Sequence, residues 1–171
     1  MKSHIWHPNL VRFVAHEFAL PLTSIHGPAH WARVRNNGLR LANINGADTQ
    51  VIELFALFHD SCRENDWDDP GHGSRGADLL AFCYYEEKLL PLDEEIIHQA
   101  MIACDHHTDG ESHWDLGVAT CWDADRLDLW RAGIIPDPDR LCTDAARQPE
   151  EINRAIVNSD AWLQKRQFLC E

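Results

Sequence analysis

Residues 51–58, with the sequence VIELFALF, restrict the fold of this chain more than any other segment. All of them except Glu53 are apolar, and a helix that is apolar on nearly every side has to run through a protein core. Asp48 is a favourable N-cap for such a helix. Because His59 and Asp60 follow the segment directly, the fold must carry a polar pair at the end of its most buried helix.

Apolar residues recur at spacings of three and four along the rest of the chain, and no segment shows the alternation that is typical of strands. The pattern predicts an all-α protein, a compact bundle of about seven or eight helices. We expect helices at about 8–20, from Pro28 to the NINGAD turn, from Asp48 to His59 and Asp60, at about 73–89, 93–107 and 115–131, in a short segment after the GIIPDPD turn, and from Pro149 onwards. The stretch 61–73, SCRENDWDDPGHG, is rich in helix breakers and should be a loop.

The chain is long enough, at 171 residues, to bury a core without disulfides, so we expect residues 1–171 to form a single domain. A hydrophobic content of 44%, a charged content of 25% and a mean hydropathy of −0.39 exclude a disordered chain or a membrane protein. No apolar run approaches the roughly 20 residues that span a bilayer, and MKSHIWHPNL lacks the apolar stretch of a signal peptide. We therefore expect a cytoplasmic protein without a membrane partner, and the sequence leaves the oligomeric state open.

The net charge of −13 disfavours a nucleic-acid polymer as a partner, because an acidic surface repels its phosphates. A small phosphate ligand would need a local positive charge, which a bound metal ion supplies. The cysteines are widely spaced and form no CxxC pair, so we expect reduced, mostly buried thiols and no zinc-thiolate site. They are Cys62, Cys83, Cys104, Cys121, Cys142 and Cys170.

The adjacent His59 and Asp60 offer a neutral nitrogen and an anionic oxygen, a combination that divalent first-row metals accept. Alone, the pair is better explained as a helix end, where a His interacts favourably with the helix dipole and an Asp begins a turn. A metal site needs further ligands from neighbouring helices. The candidates are His30 within HWARV and Asp125 within DADRLDL, an acidic turn that is costly to bury without cations or hydrogen bonds.

The motifs HWARV, LFALFHD and DADRLDL, in this order, resemble the H…HD…D signature of the HD superfamily of metal-dependent phosphohydrolases. The resemblance covers about residues 24–131 and leaves a helical C-terminal extension. It implies an HD-domain helical bundle in which His30, His59, Asp60 and Asp125 bind a divalent metal ion. It also implies hydrolysis of a small-molecule phosphate ester, for example of a nucleotide, by a metal-activated water.

Further histidines are similar to those of the HD branch with two or more metals, which includes phosphodiesterases of the HD-GYP type. His72 in HGSRGADLL resembles the His of an HPxxGA-like turn, and His106 and His107 in CDHHTDG resemble a further HH pair. His26 lies four residues before His30 and would share its helical face if the helix already includes it. TDGESHW stands where the GYP pattern would occur, so specificity for cyclic dinucleotides is not implied.

Some nucleotide-hydrolysing relatives carry a catalytic Glu behind the HD pair, where this chain has Arg63 followed by Glu64. Arg63 is suited to contact a phosphate, because a guanidinium forms paired hydrogen bonds to its oxygens. The candidate catalytic residues are therefore Asp60, Arg63 and Glu64, and we expect Asp60 to bridge two metals if two bind. Further candidates are Arg75 and Arg126 for the phosphate contact, and Asp105 or Asp123 for orienting the imidazoles.

The ligand types do not select the ion, because one or two ions of Mn, Fe, Co, Ni, Zn or Mg are compatible with them. Two alternatives to a phosphohydrolase remain open. The first is a diiron oxygenase of the HD fold, and the second is a non-catalytic HD module that binds a nucleotide or a protein.

The remaining aromatic residues have simpler explanations. Trp67, in the acidic loop, either covers the site or is an exposed loop residue. Core positions are expected for Trp31, Trp122, Trp130 and Trp162, and surface positions for His4, His7, His16, His98 and His113.

Overall fold

The structure, a computed structural model, describes residues 5–168 and consists of helices joined by turns and loops, with no strand among these residues. The α-helices are α1 (Pro8–Glu17), α2 (Pro28–Asn45), α3 (Thr49–Phe58), α4 (His72–Tyr85), α5 (Glu94–His106), α6 (Leu116–Arg126) and α7 (Pro149–Phe168). Two short 3-10 helices, Leu129–Ala132 and Pro138–Arg140, lie between α6 and α7. The prediction of an all-α bundle is confirmed for the described residues, and His4 and Cys170 lie outside them.

The helix ends follow from local chemistry. The chain leaves α2 at Gly46, which has a φ of 81° and donates its N–H to the carbonyl of Ala42, as is usual for a C-terminal glycine. It enters α3 at Asp48, whose side chain accepts the N–H of Gln50. At the start of α5, Asp93 occupies the N-cap position, but its side chain makes no capping hydrogen bond. The sequence therefore located these ends correctly, although one cap differs in detail.

Two helices end earlier than expected. The first stops at Glu17 rather than near residue 20, because Phe18 adopts an extended backbone and packs its ring edge-on against Trp31 in the core. The long helix expected over 115–131 breaks after Arg126 and continues as the 3-10 helix Leu129–Ala132. Asp128 lies at this break, and its side chain is buried.

Two further boundaries differ from the prediction. The helix expected over 73–89 ends at Tyr85, and Lys88 then adopts a φ of 52°, which turns the chain so that Leu90 is buried. The short helix expected after the GIIPDPD turn is the 3-10 helix Pro138–Arg140, which begins within that turn.

The apolar helix α3 lies at the centre of the bundle, as its sequence predicts. It contacts α1, α2, α4, α5 and α6, and every residue from Val51 to Phe58 is buried. Glu53 pairs with Arg35 of α2, which compensates its burial. A second, smaller apolar cluster lies where α7 packs against α2 and the 3-10 helix Leu129–Ala132, and it consists of Leu41, Leu127, Leu141, Ala145, Ala146, Ile152 and Ala155. The polar end of α3 is thereby enclosed by neighbouring helices.

The first turn of α4 packs unusually closely against two other helices. A Cβ atom on Gly73 would lie 2.4 Å from the carbonyl oxygen of Cys104 in α5, and one on Gly76 would lie 2.3 Å from the carbonyl oxygen of Phe58 in α3. Only glycine fits at such distances. This packing brings His72, the first residue of α4, next to the ends of α3 and α5.

The structure also bears on the membrane and thiol predictions. Among the described residues, no helix combines the length and the apolar character that crossing a bilayer requires.

The five cysteines in the described part of the chain are free thiols, and Cys83, Cys104 and Cys121 are buried, in agreement with the sequence-based expectation.

Candidate metal centre

Six ligand-type side chains converge from the ends of five helices. His30 lies in the first turn of α2, His59 and Asp60 follow α3, and His72 opens α4. His107 follows α5, and Asp125 lies in the last turn of α6. Apart from Asp125, which is partly exposed, they are buried, so the bundle directs its polar helix ends at one interior point.

Four donor atoms lie close to one another between α2, α3 and α6, and we call this set site A. His30 Nε2 lies 3.0 Å from His59 Nε2 and 3.3 Å from both Asp60 Oδ2 and Asp125 Oδ1. His59 Nε2 lies 3.7 Å from Asp60 Oδ2 and 3.9 Å from Asp125 Oδ1. Ligands bonded to one ion at about 2.1 Å lie at most about 4.2 Å apart, so these separations suit a single metal ion.

A second set lies on the other side of Asp60, and we call it site B. Asp60 Oδ1 lies 3.2 Å from His72 Nε2 and 3.8 Å from His107 Nε2, and these two nitrogens are 2.9 Å apart. Because Oδ2 of the same carboxylate belongs to site A, Asp60 stands between the two sites. These groups of buried His and Asp side chains can hold a metal ion.

The four imidazoles are oriented by hydrogen bonds on their far nitrogens. Nδ1 of His59 lies 3.0 Å from the carbonyl oxygen of Phe55, and Nδ1 of His107 lies 2.7 Å from that of Cys104. Nδ1 of His72 bonds to the carbonyl oxygen of Asp69. Since a carbonyl oxygen only accepts, each Nδ1 carries a proton and each Nε2 presents its lone pair to the site.

His30 is held in the same way by a carboxylate. Its Nδ1 lies 2.7 Å from Oδ2 of Asp128, which also accepts two hydrogen bonds from Arg33 and one from Ser159 of α7. Asp128 was not among the residues predicted from the sequence. Its position three residues after Asp125, in the same DADRLDL motif, was the available signal. The expected orienting residues Asp105 and Asp123 have other surroundings.

Two pairs of Nε2 atoms face each other so closely that each pair needs a proton or a metal ion between its nitrogens. His30 and His59 face each other through Nε2 at 3.0 Å, and His72 and His107 at 2.9 Å. Two lone pairs at this separation repel each other unless a proton or a metal ion lies between them. Asp125 Oδ1, a buried oxygen that accepts no hydrogen bond from any described residue, adds an unsatisfied anionic donor to site A. The donor set therefore fits a metal ion.

The pKa values of the histidines show which ring holds the proton in the metal-free protein. Burial and the charge of Arg131 oppose protonation of His30, but the carboxylates of Asp125, Asp128 and Asp60 outweigh them and raise its pKa to about 9. Burial lowers the pKa of His59 to about 3. In site A, His30 thus carries the positive charge at neutral pH, and His59 is neutral.

The carboxylates of the site remain ionised. Burial alone would raise the pKa of Asp60, but the imidazoles around it hold that pKa well below its usual range. Burial likewise opposes ionisation of Asp125, and His30 and Arg131 hold its pKa well below the usual value. A concentrated negative charge in a buried site attracts a divalent cation.

His26 is placed beside site A and contacts Asp60. Its Nδ1 lies 2.7 Å from Asp60 Oδ2, and the side chain is buried. The hydrogen bond requires a proton on Nδ1, so in this arrangement His26 orients Asp60 through that nitrogen. The structure thus brings His26 to the centre, but not on the helical face of His30, because α2 begins at Pro28 and His26 precedes it.

Sites A and B lie at the floor of a cleft of about 1010 Å³. Asp60, His72, His107 and Asp125 line the floor, together with two buried arginines, Arg63 and Arg131. The mouth is formed by exposed residues, namely Asp109, Glu111, Ile134, Ile135, Asp137, Asp139 and Arg140. A small molecule can therefore reach the metal-ligand cluster from solvent.

Two residues of the predicted site lie away from the cleft. The side chain of His106 is 62% exposed and lies beside Asp105, so of the HH pair only His107 faces the metal-ligand cluster. The side chain of Glu64 is 70% exposed, and its Oε1 lies 3.9 Å from Nε of Arg75. Adjacent residues at a helix end point in different directions, so His106 and Glu64 are corrected here to surface positions.

The arginines suggested as further phosphate contacts are occupied elsewhere. Arg75 pairs through Nη2 with both carboxylate oxygens of Asp69. Arg126 lines the cleft, but its guanidinium donates to the carbonyl oxygens of Gly110, Glu111 and Arg140 and so ties two loops together. Both are therefore positioned to hold loops.

Asp123 also has a structural role. It accepts hydrogen bonds from the backbone of Cys142 and from the backbone and hydroxyl of Thr143. Asp105 is exposed beside His106. Neither contacts an imidazole of sites A or B in the described structure.

The remaining aromatic residues divide as follows. Trp31 and Trp122 are buried as expected, whereas Trp130 and Trp162 are only partly buried. Trp67 is 87% exposed and does not line the cleft that the described residues form. His7, His16 and His98 are exposed, as expected. His113 differs, because it is partly buried, stacks on Trp114 and packs edge-on against Trp122.

Comparison with known proteins gave no match, since no family model, no curated protein and no solved structure matches this chain. The resemblance to the HD superfamily accordingly rests on the sequence motifs alone and stays a prediction.

Proposed function

We propose that this protein is a metal-dependent phosphohydrolase that acts on a small-molecule phosphate ester with two divalent ions, one in each site. The observation that carries the proposal is the position of Asp60. Its two carboxylate oxygens face different histidine pairs, Oδ2 at 3.3 and 3.7 Å from His30 and His59, and Oδ1 at 3.2 and 3.8 Å from His72 and His107. A carboxylate in this position is suited to bridge two ions.

Sites A and B would hold the ions through the Nε2 atoms of the four histidines and the oxygens of Asp60 and Asp125. When bound, the ions would activate a water molecule and neutralise the charge that develops on the phosphoryl group. The chain itself contributes orientation, because the hydrogen bonds on Nδ1 hold each imidazole before an ion arrives. It also contributes charge, since Arg63 lies at the floor of the cleft beside Asp60.

The cleft favours a small substrate. Its volume of about 1010 Å³ accommodates a phosphate ester with an organic group, and its mouth carries four carboxylates that would repel the backbone of a nucleic acid. The proposal therefore keeps a small-molecule phosphate ester as the substrate class.

The test combines elemental analysis of the purified protein with a screen of phosphate esters in the presence of added divalent metals. Asp60→Ala should lose bound metal and hydrolysis together, because the residue serves both sites. Asp105→Ala is the matched control, since this carboxylate is 42% exposed and lies outside the cleft. Unchanged metal content and hydrolysis in Asp60→Ala would show that the site assignment is wrong.

A diiron oxygenase is a second candidate, because four imidazoles around a shared carboxylate also suit iron. The same protein preparation distinguishes the two. Two irons per chain after aerobic purification, oxygen uptake with a substrate and no hydrolysis of any ester would favour the oxygenase. Bound metal without turnover in either assay would favour a non-catalytic binding module.

A further inference from the structure

Arg131 is a buried cation that the sequence did not mark as part of the site. It lies in the 3-10 helix Leu129–Ala132, its side chain is only 6% exposed, and it lines the floor of the cleft. A guanidinium remains charged at all relevant pH values, and burying it is costly unless its donors find acceptors. Each N–H of this buried guanidinium is therefore expected to have an acceptor in the protein or in a ligand.

The contacts of Arg131 with the protein are incomplete. Nη1 donates to the carbonyl oxygen of Asp128 at 3.2 Å. Nε is buried and has no hydrogen-bond partner within the described chain. Nη2 lies 3.6 Å from Asp125 Oδ1, beyond hydrogen-bond length, and 3.5 Å from Nδ1 of His26.

The contact with His26 does not satisfy Nη2 either. Nδ1 of His26 lies 2.7 Å from Asp60 Oδ2, and because a carboxylate oxygen only accepts, this nitrogen is the donor of that bond. It cannot also accept a hydrogen from Arg131. One donor of Arg131 beside site A is thus available to a ligand.

Arg63 has the corresponding arrangement beside site B. Its Nε and Nη2 donate to the backbone carbonyl oxygens of Asn65 and Trp67, at 3.4 and 3.2 Å. Its Nη1 lies 3.6 Å from Asp60 Oδ1, and the side chain is 9% exposed. Each guanidinium is therefore fixed by backbone carbonyls and keeps one terminal nitrogen next to the metal ligands.

We propose that Arg131 and Arg63 form an anion clamp, in which each donates an N–H to a different oxygen of one phosphoryl group bound over sites A and B. The inference rests on the proposed function, because the ligand is the phosphoryl group of the substrate. It adds a residue, Arg131, that binds substrate. Two buried, pre-positioned guanidiniums favour a tetrahedral dianion, since charged hydrogen bonds of this kind are short and strong.

The probe is inorganic phosphate, titrated calorimetrically into the metal-loaded protein, so that no substrate has to be known. Arg131→Gln should weaken phosphate binding about tenfold or more, because it removes a charged hydrogen bond. Arg140→Gln is the matched control. It lines the same cleft and removes the same charge, but its side chain is 85% exposed, so we expect a change of about twofold or less.

The metal content of each variant reports whether the site is intact, and we expect it to equal that of the wild type. If Arg131→Gln does not fold, Arg131→Lys serves as the test. Lysine keeps the charge but lacks the planar set of donors, so we expect this variant to bind phosphate more weakly than the wild type. Wild-type phosphate affinity in a folded, metal-loaded Arg131 variant overturns the clamp. So does a metal-loaded wild type that binds no phosphate.

The clamp and the hydrolase proposal fail in different ways. Arg131-dependent phosphate binding without hydrolysis of any ester would keep the clamp and reject the hydrolase. Hydrolysis with unchanged KM in Arg131→Gln, together with unchanged phosphate binding, would keep the hydrolase and reject the clamp.

Discussion

Oδ2 of Asp128 lies 2.7 Å from Nδ1 of His30 and thereby fixes the orientation of the His30 ring. The other nitrogen of that ring lies 3.3 Å from the carboxylates of both Asp60 and Asp125 in site A. Ser159 of α7 donates to the other oxygen of Asp128 at 2.5 Å, and Arg33 pairs with both. The last helix is thus connected to the candidate metal centre through a single carboxylate. Groups of this kind set the orientation and basicity of metal-bound imidazoles.

Replacing Asp128 with Asn should weaken metal binding at site A by about 10- to 100-fold, because His30 loses a charged partner. Competition with a chelator of known affinity measures the change. Glu151→Gln is the matched control, since Glu151 is a buried carboxylate that pairs with Arg40 and Arg154 away from the site. It should lower the free energy of unfolding and leave metal affinity unchanged. Equal metal affinities in the two variants would contradict the role of Asp128.

The neighbours His106 and His107 offer a comparison within one turn of chain. His107→Ala should remove one metal ion per chain, because this side chain supplies site B, whereas His106→Ala should retain the wild-type content. Elemental analysis of the two variants measures the difference. Loss of metal in His106→Ala with retention in His107→Ala would reverse the assignment of the pair.

Metal binding at site A should release a proton below pH 9. The pKa of His30 is raised to about 9 in the metal-free protein, so at lower pH the ring is protonated and must lose that proton before it can bind an ion. The apparent affinity of site A should therefore fall about tenfold for each pH unit below 9. Calorimetry in buffers of different ionisation enthalpy measures the proton, and the His107→Ala variant isolates site A. An affinity that does not vary with pH would contradict the expectation.

Gly76→Ala should destabilise the protein by about 1–3 kcal/mol, because the added Cβ would lie 2.3 Å from the carbonyl oxygen of Phe58. The displaced helix α4 should also weaken site B through His72. Gly71→Ala is the control, since its Cβ meets only the flexible end of Arg75. Urea unfolding and metal content together measure both effects, and equal stability of the two variants would show that α4 can move without cost.

Among substrates, those with one phosphate should be preferred over those with two or three. Arg63 and Arg131 lie at the floor of the cleft, whereas the exposed Asp109 and Glu111 belong to its mouth, where a second phosphate would meet like charge. We expect kcat/KM for a nucleoside triphosphate to be at least about tenfold below that for the monophosphate. Asp109→Asn combined with Glu111→Gln should narrow the difference, as should added salt. A polyphosphate preference would mean that the distal phosphates bind elsewhere.

The sequence predicted the helices and much of the centre because these depend on local patterns. An apolar helix such as α3 is stable only inside the core, so His59 and Asp60, which follow it directly, lie at the edge of the core. His30, His72 and Asp125 were found through motif spacing. The structure brings all three to the expected cluster.

The choice between adjacent residues could not be predicted, because it depends on how the helix ends are rotated. His106 and Glu64 match a motif as well as their neighbours do, yet only His107 and Arg63 point inward. Asp128 was missed although it lies in the DADRLDL motif, because only Asp125 of that motif was assigned, and Arg131 lies outside every motif. Their roles depend on the break between α6 and the 3-10 helix, which tertiary packing decides.

The two sites differ in how much chain separates the residues that build them. The outermost ligands of site B, Asp60 and His107, are 47 residues apart, whereas those of site A, His30 and Asp125, are 95 residues apart. Closing the longer loop costs about 0.6 kcal/mol more in conformational entropy than closing the shorter one. Site B can therefore assemble within a contiguous stretch from α3 to α5, while site A exists only after the first and last parts of the chain have met. Loop-closure entropy thus favours the assembly of site B before that of site A.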